Sequence, residues 1–297
     1  MNVTAPNDGA YVLLTAAHNE EAYIEETILA VAAQVHRPKV WVIISDASTD
    51  RTDEIVRHYA KEHSFIRLVR REKDENRRFA SKVFALRAGL QSVELGTTRF
   101  IGILDADMAP DPLYFREVLK RFEQDPRLGV GGGWYVERHG GELRAARGYS
   151  PNSVPGALQM FRRECYEEIG GLLPIEYGGE DWYAEVMARS RGWRAQSFPD
   201  LLVRHNRSTG SARGKLRYCY RQGFADFALG SHPVFELVKV ARRTFWKPYV
   251  LGAVARLLGF LVANIQGKRA VPPEFVAFLQ REQLSRLWPG SLAPERG

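Results

Sequence analysis

Cysteine is scarce. Cys165 and Cys219 are the two in 297 residues, far apart and outside any Cys-x-x-Cys or Cys/His spacing. That argues against a disulfide framework and against a zinc site, and favours reduced thiols in a cytosolic compartment. The start, Met1 to Gly9, has no basic segment leading into an apolar one, so no secretory signal is expected. The first apolar run is not followed by Gly-x-Gly-x-x-Gly, and Gly-x-x-x-x-Gly-Lys-Ser/Thr is absent. A Rossmann dinucleotide site and a P-loop NTPase are both disfavoured. There is no internal repeat or low-complexity tract. Nor is there an acidic excess: net charge is +7 and the pI is near 9.4. That sign suits polyanionic partners such as nucleotides, nucleic acid or an acidic membrane, without choosing among them.

What is present is a full-sized globular chain, 45% hydrophobic and 26% charged, with disorder expected at residues 1–10 and 289–297. Its organising stretch is Phe100-Ile-Gly-Ile-Leu-Asp-Ala-Asp-Met-Ala-Pro110. A short apolar run stopped by turn residues reads as a buried strand. Asp105 and Asp107, two apart, would face one site beyond the strand's C-terminal end, where open parallel sheets bind ligands. Two hard oxygen donors there suit Mg2+ or Mn2+ carrying a diphosphate. The plainer alternative is an Asp-rich turn in which Asp107 only caps the next helix.

Earlier segments alternate. Residues 11–16 read as a strand ending in His18-Asn-Glu-Glu21, where a helix begins. Residues 39–45 read as a second strand, closed by Asp46-Ala-Ser-Thr-Asp50, with Asp50 placed to cap the following helix. A third strand is expected at 66–69, a helix at 80–93 and a turn at Gly96. Strand–helix alternation predicts a mostly parallel central sheet.

Taken in order, the strand ends His-Asn-Glu-Glu, Asp-Ala-Ser-Thr-Asp and Asp-Ala-Asp resemble glycosyltransferase family 2 over residues 11–208. The resemblance implies an α/β GT-A fold: a single Rossmann-like, mostly parallel sheet flanked by helices. It divides the chain into a flexible start at 1–10, a catalytic domain at 11–230 and a C-terminal helical extension at 231–297. It places Glu20 and the backbone at Thr15 and Ala16 against the nucleoside of a nucleotide-sugar donor, and Asp46 on the base or ribose. Lys82 takes a basic position before the metal strand. Asp105 serves donor and metal, Asp107 the metal, and the cofactor is Mg2+ or Mn2+. One departure is Ala47, where the family often has a second Asp.

Further on, a helix is expected at 111–122, a strand at 129–138 and a loop at 138–155. Gly129-Val-Gly-Gly-Gly133 should bring backbone close to a neighbouring strand or a sugar. Residues 156–171 resemble the family's acceptor-side element. In Tyr177-Gly-Gly-Glu-Asp-Trp-Tyr183, acids at a helix start can simply complement the helix dipole. The resemblance makes Asp181 the catalytic base, with Glu180 orienting it or the acceptor, and the product anomer inverted. Short strands are expected at 194–198 and 201–203, after which His205 stands where many GT-A enzymes carry a third metal ligand. Arg207, Arg213, Lys215, Arg217 and Arg221 form a basic run suited to a diphosphate or an anionic lipid carrier, or simply a solvated helix face. The Gln-x-x-Arg-Trp motif of processive synthases is missing, which favours single addition.

Residues 248–265 are the most apolar stretch, but Arg256 at its centre would be costly inside a bilayer. Arg242, Arg243, Trp246 and Lys247 precede it, and Lys268 and Arg269 follow. That pattern fits an interfacial helix on an anionic membrane; packing on the catalytic domain or in a homodimer is the alternative. The expected partners are a nucleotide-sugar, a saccharide or polyprenyl-linked acceptor and the inner face of the cell membrane, with no nucleic acid. The expected setting is cytoplasmic, in cell-surface polysaccharide or glycolipid synthesis. Two other readings share features with this one. A sugar nucleotidyltransferase would want a Gly-rich basic loop after the first strand. A non-catalytic carbohydrate- or membrane-binding relative would have no need of Asp105, Asp107 and Asp181 together.

Overall fold

The computed structural model describes residues 9–72, 80–139, 142–145, 150–207, 214–245, 248–267 and 269–287, with 138–139 and 142–145 in backbone only. Of the residues 1–10 and 289–297 expected to be disordered, all but Gly9 and Ala10 fall outside them, as do Arg213, Trp246, Lys247 and Lys268. Two compact units form: residues 1–174 with 180–209, and residues 175–179 with 210–297.

Among the described residues, the first unit carries every strand. In order these are β1 (Tyr11–Ala17), α1 (Ile24–Ala32), β2 (Val40–Asp46), α2 (Thr52–Glu62), β3 (Ile66–Arg71), α3 (Ser81–Gln91), β4 (Phe100–Ile103), β5 (Met108–Pro110) and α4 (Tyr114–Gln124). Then follow β6 (Leu128–His139), β7 (Glu142–Ala145), β8 (Met160–Arg162), α5 (Arg163–Glu168), α6 (Glu180–Ser190) and β9 (Arg194–His205). The sheet order is β3-β2-β1-β4-β8-β6-β9-β5, with β7 paired to β6. Strands β3, β2, β1 and β4 pair in parallel, as alternation predicts. Beyond β4 the sheet is mixed, because β8 enters antiparallel between β4 and β6. The sheet therefore has a parallel half and a mixed half.

Burial explains the parallel half. Strand β1 is covered on both faces, so Tyr11, Leu13 and Leu14 are all fully buried. Each such side chain contributes about 1.5–3 kcal/mol relative to exposure. Two expectations change, and one left open between two partners is resolved. The loop at 138–155 contains β7, which pairs with β6. The two short strands near 200 are one strand, β9, whose register with β6 jumps after Gly133 from Phe198 to Leu202. The close approach at the glycines is to protein. A Cβ on Gly132 would stand 2.2 Å from the Leu158 carbonyl oxygen, and one on Gly133 2.1 Å from that of Leu201.

The second unit contains α7 (Lys215–Ala228), α8 (Pro233–Arg243), α9 (Tyr249–Gln266) and α10 (Pro273–Leu287). Helices α7 and α9 cross at glycine. A Cβ on Gly223 would lie 1.8 Å from the Arg256 carbonyl oxygen, and one on Gly259 2.0 Å from that of Tyr220. This packing puts α7 with the C-terminal helices, whereas the sequence reading divides the chain at 230. Arg256 faces inward. Its Nε lies 2.9 Å from Glu236, its terminal nitrogen bonds Asp226, and Lys239 Nζ reaches Asp226 at 2.7 Å and Glu236 at 3.0 Å. Helix α9 is the one helix among the described residues long and apolar enough to cross a membrane, with mean hydropathy 1.5.

Candidate active site

The site is built where β1, β2 and β4 end. Two motif loops are laced together there. Glu20 N–H donates to Thr52 Oγ1 at 2.8 Å, Glu21 N–H to Asp50 at 3.0 Å and Arg51 N–H to Glu21 at 2.9 Å. Thr49 N–H donates to Asn19 Oδ1 at 2.8 Å. Asp50 also accepts from Thr52 N–H at 3.0 Å, but the cap position of α2 is Arg51. So Asn19, Glu21, Asp50 and Thr52 fix the loops, and Glu20 and Asp46 are left to line the cleft. Asn19 and Ala47 both hold φ near +54°, a conformation that favours Asn over Ala.

The Asp-Ala-Asp turn is held from three sides. Leu104 N–H donates to Leu14 O at 3.0 Å, Thr27 Oγ1 to Ala106 O at 2.8 Å and Asn206 N–H to Asp107 O at 2.9 Å. Asp105 N–H donates to Ala157 O at 3.1 Å, extending the β4–β8 pairing back toward Gly156. Gly156 in turn abuts Asp181: a Cβ there would lie 2.6 Å from Asp181 Oδ2.

A cleft of about 510 Å³ opens at this edge, lined by Ala16, Glu20, Asp46, Lys82, Asp105, Asp107, Glu180 and Arg207 among others. Seven of the expected site residues are thus brought together. Three do not line it. Thr15 is fully buried, and its hydroxyl accepts from Trp41 Nε1 at 3.0 Å, which makes it a core residue. Asp181 sits in the first turn of α6, behind Gly156, and Glu180 is the acid that lines the cleft. His205 stands at the end of β9 with Nε2 3.2 Å from Asp107 Oδ2.

Charge is compensated within the site. Lys82 Nζ lies 2.5 Å from Asp105. Burial works against the ammonium, and Asp105, with Glu180 and Asp181 beyond, outweighs it and holds Lys82 above its ordinary value. Arg207 bonds Glu20 and reaches Asp107 at 2.9 Å. Asp107 is desolvated, yet His205 and Arg207 keep its carboxyl below the usual range. Glu20 is raised, chiefly by burial, as is Glu180, where Asp181 adds like-charge repulsion. Asp46 is held by Arg71 Nη1 at 3.0 Å and by the Ser81 hydroxyl. The register of β2 with β3 sets Arg71 opposite Asp46. Sequence reasoning missed Arg71, Ser81, Gly156 and Glu137. The one available signal was that β3 must end at the same sheet edge as β2.

Among the described residues, no group of three His, Cys, Asp or Glu is arranged to hold a metal. Asp107 and His205 converge as a carboxylate–imidazole pair, while Asp105 is turned to Lys82. Of the three residues expected from sequence to hold the ion, two are thus brought together. Such a pair still fits a divalent ion whose other ligands are substrate phosphates and water.

The profile of glycosyl transferase family 2 matches residues 13–179. The chain belongs to that family. Within it, the O-antigen biosynthesis protein RfbC of Myxococcus xanthus is 27% identical over 175 residues, covering 54% of this chain and 13% of that protein. The poly-beta-1,6-N-acetyl-D-glucosamine synthase of Staphylococcus aureus is 32% identical over 120 residues, 39% of this chain and 26% of the synthase. The chain thus matches about a quarter or less of these relatives' length. The mannosyltransferase PcManGT of Pyrobaculum calidifontis, solved with GDP-Man and Mn2+, superposes with TM-score 0.57 at 20% identity, over 95% of this chain and 88% of that one. GalNAc-T7 with UDP, GalNAc and Mn2+ gives TM-score 0.60 at 14% identity, over 96% and 59%. At these identities the likeness shows the fold, which is GT-A.

Proposed function

We propose that this chain transfers a sugar from a nucleoside-diphosphate sugar to a hydroxyl acceptor, with inversion and with a divalent cation. The observation that carries this is the convergence of Glu20, Asp46, Lys82, Asp105 and Asp107 on one cleft at the carboxyl ends of parallel strands, in a chain of this family. Solved structures of the same fold bind UDP or GDP and Mn2+, which supports the donor class and the metal.

Asp46 and Glu20 take the nucleoside side, and Lys82 and Arg207 bring positive charge to the diphosphate. Asp107 and His205 would hold the cation, which would supply positive charge against that growing on the departing diphosphate. Asp181 accepts the acceptor proton as its oxygen attacks C1, so the chain itself forms no glycosyl bond and the anomer inverts. Glu180 orients acceptor and base. A second reading exchanges these two, because Glu180 and not Asp181 lines the cleft. Turnover of Glu180→Gln and Asp181→Asn separates them. The base variant loses about 10²–10⁴-fold in kcat with donor affinity kept, and a product that retains the donor anomer would sink the direct-displacement mechanism.

An anionic membrane surface bearing a lipid-linked or saccharide acceptor is the setting we assign. With Arg256 turned inward, α9 exposes Val250, Leu251, Val254, Leu258, Leu261 and Ile265 along one uncharged face. Residues 210–297 hold 14 Lys and Arg against 5 Asp and Glu, a net +9, so residues 1–209 are net −2. An apolar face on the basic segment suits in-plane binding to anionic lipid. Co-flotation with phosphatidylglycerol vesicles, lost in a Leu251→Glu/Leu258→Glu variant and at high salt, is expected. A salt-insensitive dimer of lipid-free protein, broken by the same variant, would favour self-association instead.

A further inference from the structure

We propose that Glu137 is a positioning residue for His205, accepting the imidazole Nδ1–H so that Nε2 faces Asp107 and the cation held there. The proposal rests on Asp107 and His205 as the metal-holding pair.

Glu137 is 3% exposed, near the end of a strand whose neighbouring residues serve the core. A buried carboxylate is costly unless it is paired, and here it is: Glu137 Oε1 lies 3.0 Å from His205 Nδ1. The pairing follows from the sheet. Strands β6 and β9 run parallel with Glu137 opposite His205 and Tyr135 opposite Val203. That register exists only after the jump between Gly133 and Trp134, where β9 passes residues 199–201 without a partner on β6. Without the bulge another β9 residue would stand beside Glu137. Bulges next to active sites commonly re-aim a side chain in this way. On the other side, Met108 of β5 pairs with His205, which brings Asp107 to Nε2 at 3.2 Å. Tyr135, on the same face of β6 as Glu137, packs its ring edge-on to the imidazole at 5.2 Å.

The chemistry is specific to this order of groups. A carboxylate accepts and does not donate, so Glu137 fixes a hydrogen on Nδ1, and Nε2, which faces Asp107, is the nitrogen left to give up its proton to a cation. The carboxylate also raises the basicity of the ligating nitrogen. Glu137 lies at the far nitrogen of the ring, so it acts through His205 and is not itself a ligand.

The test is Mn2+ binding followed by electron paramagnetic resonance of the free ion, with UDP and GDP in separate arms. Wild type, Glu137→Leu, Glu137→Gln and His205→Ala are compared. Long-range 1H–15N spectra of histidine-labelled protein report the His205 tautomer. Glu137→Leu should weaken Mn2+ binding by about 10–100-fold and shift the ring away from the Nδ1–H form. Glu137→Gln, whose carbonyl still accepts, should keep the tautomer with a smaller loss of affinity. Wild-type affinity and tautomer in folded Glu137→Leu would overturn the proposal; should that variant not fold, wild-type affinity in Glu137→Gln would do so. If His205→Ala weakens Mn2+ binding and the Glu137 variants do not, the positioning role alone fails. If His205→Ala binds Mn2+ as wild type does, the metal-holding pair fails and this proposal falls with it.

Discussion

Lys82 and Asp105 form a 2.5 Å ion pair on the wall of the cleft, joining the start of α3 to the turn after β4. Beyond Asp105 the ammonium also feels Glu180 and Asp181. Lys82→Met should therefore leave the fold intact and weaken donor binding tenfold or more, about 1.4 kcal/mol. Calorimetry with the donor's nucleoside diphosphate checks this, and Lys82→Arg should recover part of the loss.

Gly156 bears on Asp181, the proposed base. A methyl group there would stand 2.6 Å from Asp181 Oδ2 and 2.8 Å from its Cβ, so Gly156→Ala must move that side chain. Displacing a catalytic group by about 1 Å can cost 10²-fold in rate. Turnover should fall by roughly that factor while nucleotide affinity holds, as steady-state kinetics beside calorimetry would show.

Glu185 lies one turn beyond Asp181. It accepts from Val154 N–H at 2.5 Å and Gln159 Nε2 at 3.4 Å. Burial pushes its carboxyl up to about 8 from an ordinary value of 4.5. The folded chain keeps a proton that the unfolded chain releases. This group's contribution is therefore complete below pH 4.5 and lost as pH rises through 8. Relative to Glu185→Gln, the wild type should lose stability across that window, with a slope of at most about 1.4 kcal/mol per pH unit. Urea unfolding at several pH values measures it, and parallel curves would refute it.

Arg256 supports the helical unit. Glu236 is fully buried, and removing the guanidinium takes away an ion-pair partner from both it and Asp226. Arg256→Leu should cost about 3–5 kcal/mol, because an incompletely paired buried charge remains. Chemical denaturation reads this directly.

Much of the fold was legible because its parallel half is local. Strands β1, β2 and β4 are continuous apolar runs ending in polar motifs, and alternation with helices forces those ends to one edge. Glu20, Asp46, Lys82, Asp105 and Asp107 converge for that reason. What escaped is non-local. The antiparallel entry of β8, the β6–β9 bulge and the contact of Gly156 with Asp181 join residues tens of positions apart, and no periodicity encodes them. Thr15 was misplaced because strand position alone does not tell a cleft backbone from a core hydroxyl bonded to Trp41. Arg256 weighed against a membrane span in the sequence, but its pairing with Asp226 and Glu236 joins residues 20 and more positions apart and is not legible there.

The most direct test of the central claim is calorimetric titration of UDP- and GDP-sugars with Mn2+ or Mg2+, wild type beside Asp107→Ala. The account predicts that one nucleotide class binds the wild type, that chelation weakens it, and that Asp107→Ala binds weakly with or without metal. Binding of neither class under any metal condition, or equal metal-dependent binding by Asp107→Ala, would contradict it.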